Sequence, residues 1–264
     1  PSTPGVPEEF TRFTLTAPYN DAAAVERIMA EHGKDIACIL VEPVAGNMGV
    51  VPPREGFLQK LRALCDRHGA LLFFDEVITG FRLARGGAQE KFQIRADLTT
   101  LGKIIGGGLP VGAYGGRREL MDMLAPEGKV YQAGTLSGHP LAMAAGCAAL
   151  DALRENPPYA VLESLGASLE KGLREAAKKA GVPVTINRAG SALTVFFTEK
   201  PVFDYASARA SDTKRFAAFF HGMLRRGVYL PPSQFEAWFL SAAHTEKDVA
   251  RTVKAAEESF REAA

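Results

Sequence analysis

No charge of one sign dominates this chain: 31 Lys and Arg face 30 Asp and Glu, for a formal net charge of +1. Spread along 264 residues, that balance removes the electrostatic case for binding nucleic acid or an anionic membrane surface. Cysteine is scarce. Cys38, Cys65 and Cys147 are an odd number in apolar segments, so a complete disulfide framework is impossible and reduced, buried thiols of a cytoplasmic protein are expected. No apolar run approaches the roughly 20 residues a bilayer-crossing helix needs, and the N-terminus has no charged-then-apolar leader pattern. The histidines (His32, His68, His139, His221 and His244) never share metal-ligand spacing with cysteines or carboxylates, so no metal site is expected. No GxSxG elbow occurs, which leaves a serine hydrolase without support.

What is present is an ordinary core-forming composition, 47% hydrophobic and 23% charged. A helical stripe through Val25, Ile28 and Met29, capped by Asn20 and stopped at Gly33, precedes the apolar run IACILVE. A short extended piece lies ahead of it, around Thr11 to Thr16. The same helix-then-strand order repeats with Phe57, Leu58, Leu61, Leu64 and Cys65, Gly69, and then LLFFDE. Such alternation predicts an α/β fold with a mostly parallel sheet covered by helices, and adds strands at Asp97 to Leu101 and Val111 to Tyr114. A helix over His139 to Arg154 ends at ENPP, where Pro157 and Pro158 cannot continue it. That break separates a larger domain, residues 1–155, from a smaller C-terminal α+β domain, residues 156–264. The latter is expected to hold a long helix ending at Gly181, strands near Val184 to Asn187 and Leu193 to Thr198, and helices over Asp212 to Arg226 and from Thr245, where Asp248 caps.

Parallel strands bring ligands to their C-terminal ends. Glu42 closes the first strand with Asn47 in the loop beyond, and Asp75 and Glu76 close the second. Lys103 stands between Leu101 and Gly102 and the run Ile104, Ile105, Gly106, Gly107 and Gly108, where few side chains could solvate an amine, a setting for a nucleophile. The run is not a nucleotide loop, because its lysine precedes the glycines, and GGGLPVG contains a proline where a dinucleotide fingerprint would open a helix. Its glycines read as tight turns that let the backbone approach a bulky cofactor. Residue by residue, simpler roles stay open: Lys103 as a solvated loop lysine, Asp75 as a strand-end cap, Glu42 as a strand-end charge, Asn47 as a turn residue and Glu236 as an exposed acid. Phe235, Trp238 and Phe239 lack a basic stripe and read as core or pocket lining.

Taken together, DEVITGFR, then GKIIGGGLPVGAYGGRREL, then VYQAGTLSGHPLAMAAG resemble the class III (subgroup III) pyridoxal phosphate aminotransferases, and the likeness runs from VEPVAGNMGVVPP to PPSQFEAWFLSAAHTEKD. The resemblance implies transferase fold type I, pyridoxal or pyridoxamine phosphate as cofactor, a homodimer and a small amino-oxo acid substrate. It implies that Lys103 forms the Schiff base, Asp75 pairs with the pyridine nitrogen, and Val77 packs on one ring face. Asn47 would meet the ring's hydroxyl side with support from Glu42, Thr135 would donate to the cofactor phosphate across the dimer interface, and Glu236 would orient an amino group. It also implies a preceding segment, ahead of PSTPGVPEEF, with a phosphate loop and a second ring-stacking aromatic. An intramolecular amino shift is the leading activity, because SQFEAWF lacks the arginine that broader members tend to carry there for an external carboxylate. An ω-aminotransferase using an external 2-oxo acid is the alternative. A non-catalytic subunit or fragment is the other, against which the intact Asp75, Lys103 and Thr135 argue. Trp238, where a small residue is expected, would either narrow the entrance or fill a gap.

Overall fold

Two sheets, each backed by its own helices, organise residues 3–264, the residues that the computed structural model describes. Pro1 and Ser2 lie outside them. The first sheet has the order β1 (Cys38–Val41), β2 (Leu71–Asp75), β3 (Leu98–Gly102), β4 (Gly112–Gly116). Its first three strands are parallel, with Val41 opposite Phe74 and Asp75 opposite Thr100, and β4 returns antiparallel. Helices α1 (Ala22–His32) and α2 (Phe57–His68) precede β1 and β2. The predicted stripe of α2 is buried with Leu72 and Phe74, each fully buried leucine contributing about 2 kcal/mol of transfer free energy. Gly69 ends α2 with φ +71, a backbone state that glycine adopts without a Cβ penalty. Short helices α3 (Gly87–Phe92) and α4 (Arg118–Met121) follow β2 and β4, and α5 (Pro140–Glu155) closes this part.

The second sheet, β5 (Thr185–Ala189), β6 (Ala192–Phe196) and β7 (Trp238–Phe239), is antiparallel throughout. It packs with α6 (Tyr159–Ala180), α8 (Thr213–Arg225) and α9 (Glu246–Glu262), while α7 (Tyr205–Arg209) is a short turn of helix. Thr245 and Asp248 form the reciprocal cap expected at the start of α9. Trp238 packs in this core: it is buried and stacks on Phe219 with centroids 6.3 Å apart.

Several expectations are corrected. Asp21, not Asn20, caps α1 by accepting from the Ala24 amide. Asn20 instead donates to the carbonyls of Pro52 and Phe203 and accepts from the Arg54 amide, tying three segments together. Thr11 to Thr16 is turn and irregular backbone rather than extended strand. Only Cys65 is buried; Cys38, on the edge strand β1, and Cys147, on α5, are exposed because nothing in the chain covers those faces. Among the described residues no helix is long and apolar enough to cross a membrane.

Asp97 staples the strands at the end opposite the ligand edge. It accepts from the Leu72 amide at 2.7 Å and from the guanidiniums of Arg62 at 2.8 Å and Arg117 at 3.0 Å. Burial alone would push its carboxyl up, but these donors outweigh that and hold it below the usual carboxylate range. A depressed carboxyl stabilises the fold fully above its unfolded value of about 3.9, and the contribution is lost as pH falls through the lower folded value. Asp97→Asn is therefore expected to cost about 3 kcal/mol near neutrality and to flatten the acid limb below about pH 4, read by denaturant midpoints across pH.

Candidate active site

Strand register assembles the site. Because Val41 pairs with Phe74, the next residues, Glu42 and Asp75, emerge on neighbouring strands, and Thr100 of β3 lies beside Asp75. Asp75 Oδ1 accepts from the Val77 amide at 3.0 Å and the Thr100 hydroxyl at 3.2 Å, which orients the carboxylate and leaves Oδ2 without a hydrogen bond among the described residues. Its neighbour Glu76 points the other way and is 2% exposed. The Glu76 carboxylate accepts from the Thr79 hydroxyl, the amides of Ala88 and Gln89, and the Gln89 side chain. Four neutral donors thus satisfy a buried charge, which is a structural duty.

Lys103 follows β3 immediately, opening a 3-10 turn over Lys103–Gly106. Its φ is +48, a left-handed conformation that costs an L-residue on the order of 1–2 kcal/mol. The expected apolar setting is not found: the Lys103 side chain is exposed in this chain, because the glycine run brings no side chains over it. One of those glycines, Gly107, is required by a close approach within the chain, whereas a Cβ on Gly108 would meet open space. A Cβ on Gly107 would collide with the Ala145 carbonyl of α5, and one on Gly146 with the Ile105 carbonyl. The lysine turn and α5 therefore meet backbone to backbone, and that contact fixes where the lysine begins.

In the loop after β1, Glu42 Oε1 accepts from Asn47 Nδ2 at 3.1 Å and Oε2 from the Gly46 amide at 2.9 Å, so Glu42 holds Asn47 in place. Tyr19 donates to the Pro43 carbonyl, and its hydroxyl is pushed well above the usual tyrosine range, first by burial and also by the nearby Glu42. Ile78 lies against Gly46, and Val77 against Gly102, so the turn after Asp75 packs between the Asn47 loop and the lysine strand. One turn on, Arg82 donates to the Ile78 carbonyl and lies over the Phe239 ring at 4.1 Å, with burial pushing its guanidinium down.

Glu236 joins from the second sheet. Its side chain is exposed, and its loop docks on the Asn47 loop through the Gly49 amide, which donates to the Phe235 carbonyl at 2.6 Å. Gly49 has φ +81 and would drive a Cβ to within 2.5 Å of Phe196, so no side chain fits at this joint. Thr135 is not brought in: it sits in the exposed turn 135–138 with no hydrogen bond to the other candidates among the described residues. Thr100 and Gly49 were not singled out by sequence reasoning. The register of β2 against β3 is the signal that would have found Thr100, whereas Gly49 becomes important only once the two sheets meet.

An exposed amine and a carboxylate with one open oxygen thus share a strand-end edge. The family model described as Aminotransferase class-III matches residues 2–252. A relative from Anaeromyxobacter sp. (strain Fw109-5), named glutamate-1-semialdehyde 2,1-aminomutase, is 62% identical over the whole chain, and one of the same name from Persephonella marina is 58% identical over 99% of it. The chain spans 61% of the length of each. Among solved structures, an omega-transaminase from Sphaerobacter thermophilus superposes with a TM-score of 0.92 at 31% identity, covering all of this chain and 60% of that one. A glutamate-1-semialdehyde aminomutase variant from Pseudomonas aeruginosa PAO1, in complex with PMP, gives 0.86 at 27% identity, covering 99% of this chain and 60% of that one. With one parallel strand ending in Asp75 and the next running directly into Lys103, this chain belongs to the class-III aminotransferase family.

Proposed function

We propose that the chain carries the reaction centre of a pyridoxal phosphate-dependent aminomutase that converts glutamate-1-semialdehyde, (S)-4-amino-5-oxopentanoate, to 5-aminolevulinate for tetrapyrrole biosynthesis. The observation that carries the reading is that Asp75 and Lys103 stand at adjacent strand ends, with Val77 lying against Gly102 beside the lysine. One amine, one oriented carboxylate and an apolar side chain make a donor set that fits the cofactor's aldehyde, ring nitrogen and ring face. When bound, the cofactor supplies an electron sink that makes a C–H bond beside an amine acidic, and its pyridoxamine form carries the amino group. Lys103 Nζ would anchor it at rest and, once free, carry a proton from one carbon to the next. Asp75 Oδ2 would hold the proton on the ring nitrogen, Val77 would cover one face, and Asn47, kept in place by Glu42, would meet the ring's hydroxyl side.

Glu236 would orient the substrate amino group. Thr135 would donate to the phosphate bound by a second copy, which makes the active protein a homodimer; Tyr131, Leu136 and Leu141 beside it are 83%, 70% and 69% exposed, the apolar character that such an interface needs. A cytosolic home agrees with three unpaired thiols. The division into a cofactor domain, residues 1–155, and a smaller one, residues 156–264, is supported by the two separate sheets.

The choice of substrate is supported by the names of the curated relatives at 58–62% identity. A second reading, transfer to an external 2-oxo acid, is favoured by the omega-transaminase superposition. Turnover of the semialdehyde by the complete polypeptide separates them. The expected result is product formation with no added amino donor or acceptor; strict dependence on an external oxo acid would favour the second reading and sink the first.

A further inference from the structure

Thr194 lies in the middle of β6, far in sequence from every residue named for the chemistry, and is 1% exposed. Its hydroxyl accepts from the Val50 amide at 2.9 Å and donates to the Glu236 carbonyl at 3.0 Å. Val50 is three residues after Asn47, and the adjacent Gly49 amide donates to the Phe235 carbonyl. Two connections side by side therefore fasten the Glu236 loop to the Asn47 loop, one bridged by the Thr194 hydroxyl through two hydrogen bonds and one direct. The bridge needs a group that accepts and donates at once, which a hydroxyl does and a methyl cannot. The Thr194 methyl occupies the place beside Gly49 that a Cβ there would approach to 3.0 Å, so the side chain is fitted at both ends.

We propose that Thr194 is a positioning residue: through its hydroxyl it sets the backbone of Glu236 against the Asn47 loop, and so sets the substrate end of the site against the cofactor end. The carboxylate of Glu236 stays exposed while its own carbonyl is held, so the clamp fixes where the acid starts without using it up. This rests on the reading of Glu236 as a substrate contact. Buried in β6, Thr194 touches neither reacting atom nor ligand, and its effect is predicted on binding geometry rather than on the chemical step.

The test compares Thr194→Val, Thr194→Ser and Glu236→Gln in the complete, cofactor-loaded protein, reading amide exchange at Val50 together with KM and kcat for the semialdehyde. Thr194→Val, matched in shape but unable to bridge, is expected to speed exchange at Val50 and raise KM, each by about tenfold, with kcat held within about threefold. Thr194→Ser should restore both. Should Thr194→Val not fold, Thr194→Ala also removes the hydroxyl and is read in the same way. Wild-type exchange at Val50 in the hydroxyl-free variant, or a serine variant no better than valine, would overturn the proposal. Glu236→Gln should raise KM and leave Val50 exchange alone. An unchanged KM there would remove the substrate role of Glu236, whereas the clamp is still judged by Val50 exchange.

Discussion

Replacing Lys103 with alanine is expected to lower turnover of the semialdehyde by about a thousandfold or more, because the same amine would serve as anchor and proton carrier. Stability should barely change. The Lys103 side chain is exposed and makes no ion pair among the described residues, and alanine at φ +48 bears a backbone strain like that of lysine. What holds the turn is the contact of Gly107 and Gly146 with carbonyls across from them, which the substitution leaves intact. Thermal midpoints within about 3 °C of the parent, a shift near 1 kcal/mol for a domain of this size, together with lost turnover, would assign the loss to the amine. A Lys103→Ala protein with parental turnover would remove Lys103 from the chemistry.

Asp75→Asn should cost about a hundredfold or more in turnover, comparable with removing one preorganised electrostatic partner elsewhere. Asparagine keeps an oxygen that can accept from the Val77 amide and the Thr100 hydroxyl, so the strand end should hold its shape. What disappears is the negative charge that would favour a protonated ring nitrogen. Glu76→Gln provides the contrast. Glu76 is buried on the other side of the strand, and an amide in its place would face four donors with one acceptor oxygen fewer, so that variant should lose stability first.

Much of this site can be read from order along the chain. Helix-then-strand repeats before β1 and β2 predict parallel strands, and a parallel strand closing in an acid delivers that acid to the ligand edge. The helix stops at Gly69 and Gly181 are local signals, each marked by the left-handed φ that glycine tolerates. Asn20 is misread because its side chain is spent on Pro52, Phe203 and Arg54, partners far along the chain, while the adjacent Asp21 makes the local cap. Lys103 is recognised for its neighbours, yet its exposure is not legible: consecutive apolar residues in a 3-10 turn do not fold back over the amine. Of the glycines after it, Gly107 admits α5, an element some 40 residues on, which the sequence does not reveal. Thr194 and Gly49 escape a linear reading entirely, because their role exists only where the two sheets touch.

The same logic explains the division of labour between the sheets. Asp75, Thr100 and Lys103 sit on one rigid set of paired strands, which suits groups that must keep a fixed distance through a reaction. Glu236 sits on a loop of the other sheet, joined to the first by the Gly49 and Thr194 bonds, a placement that would suit the substrate contact proposed for it.

Reductive trapping with borohydride on the complete protein loaded with pyridoxal phosphate, followed by peptide mapping, bears most directly on the assignment of the reaction centre. The pyridoxyl mass is expected on the peptide containing Lys103, and on no other lysine. A label on a different lysine, or a loaded protein that yields no labelled peptide, would contradict it.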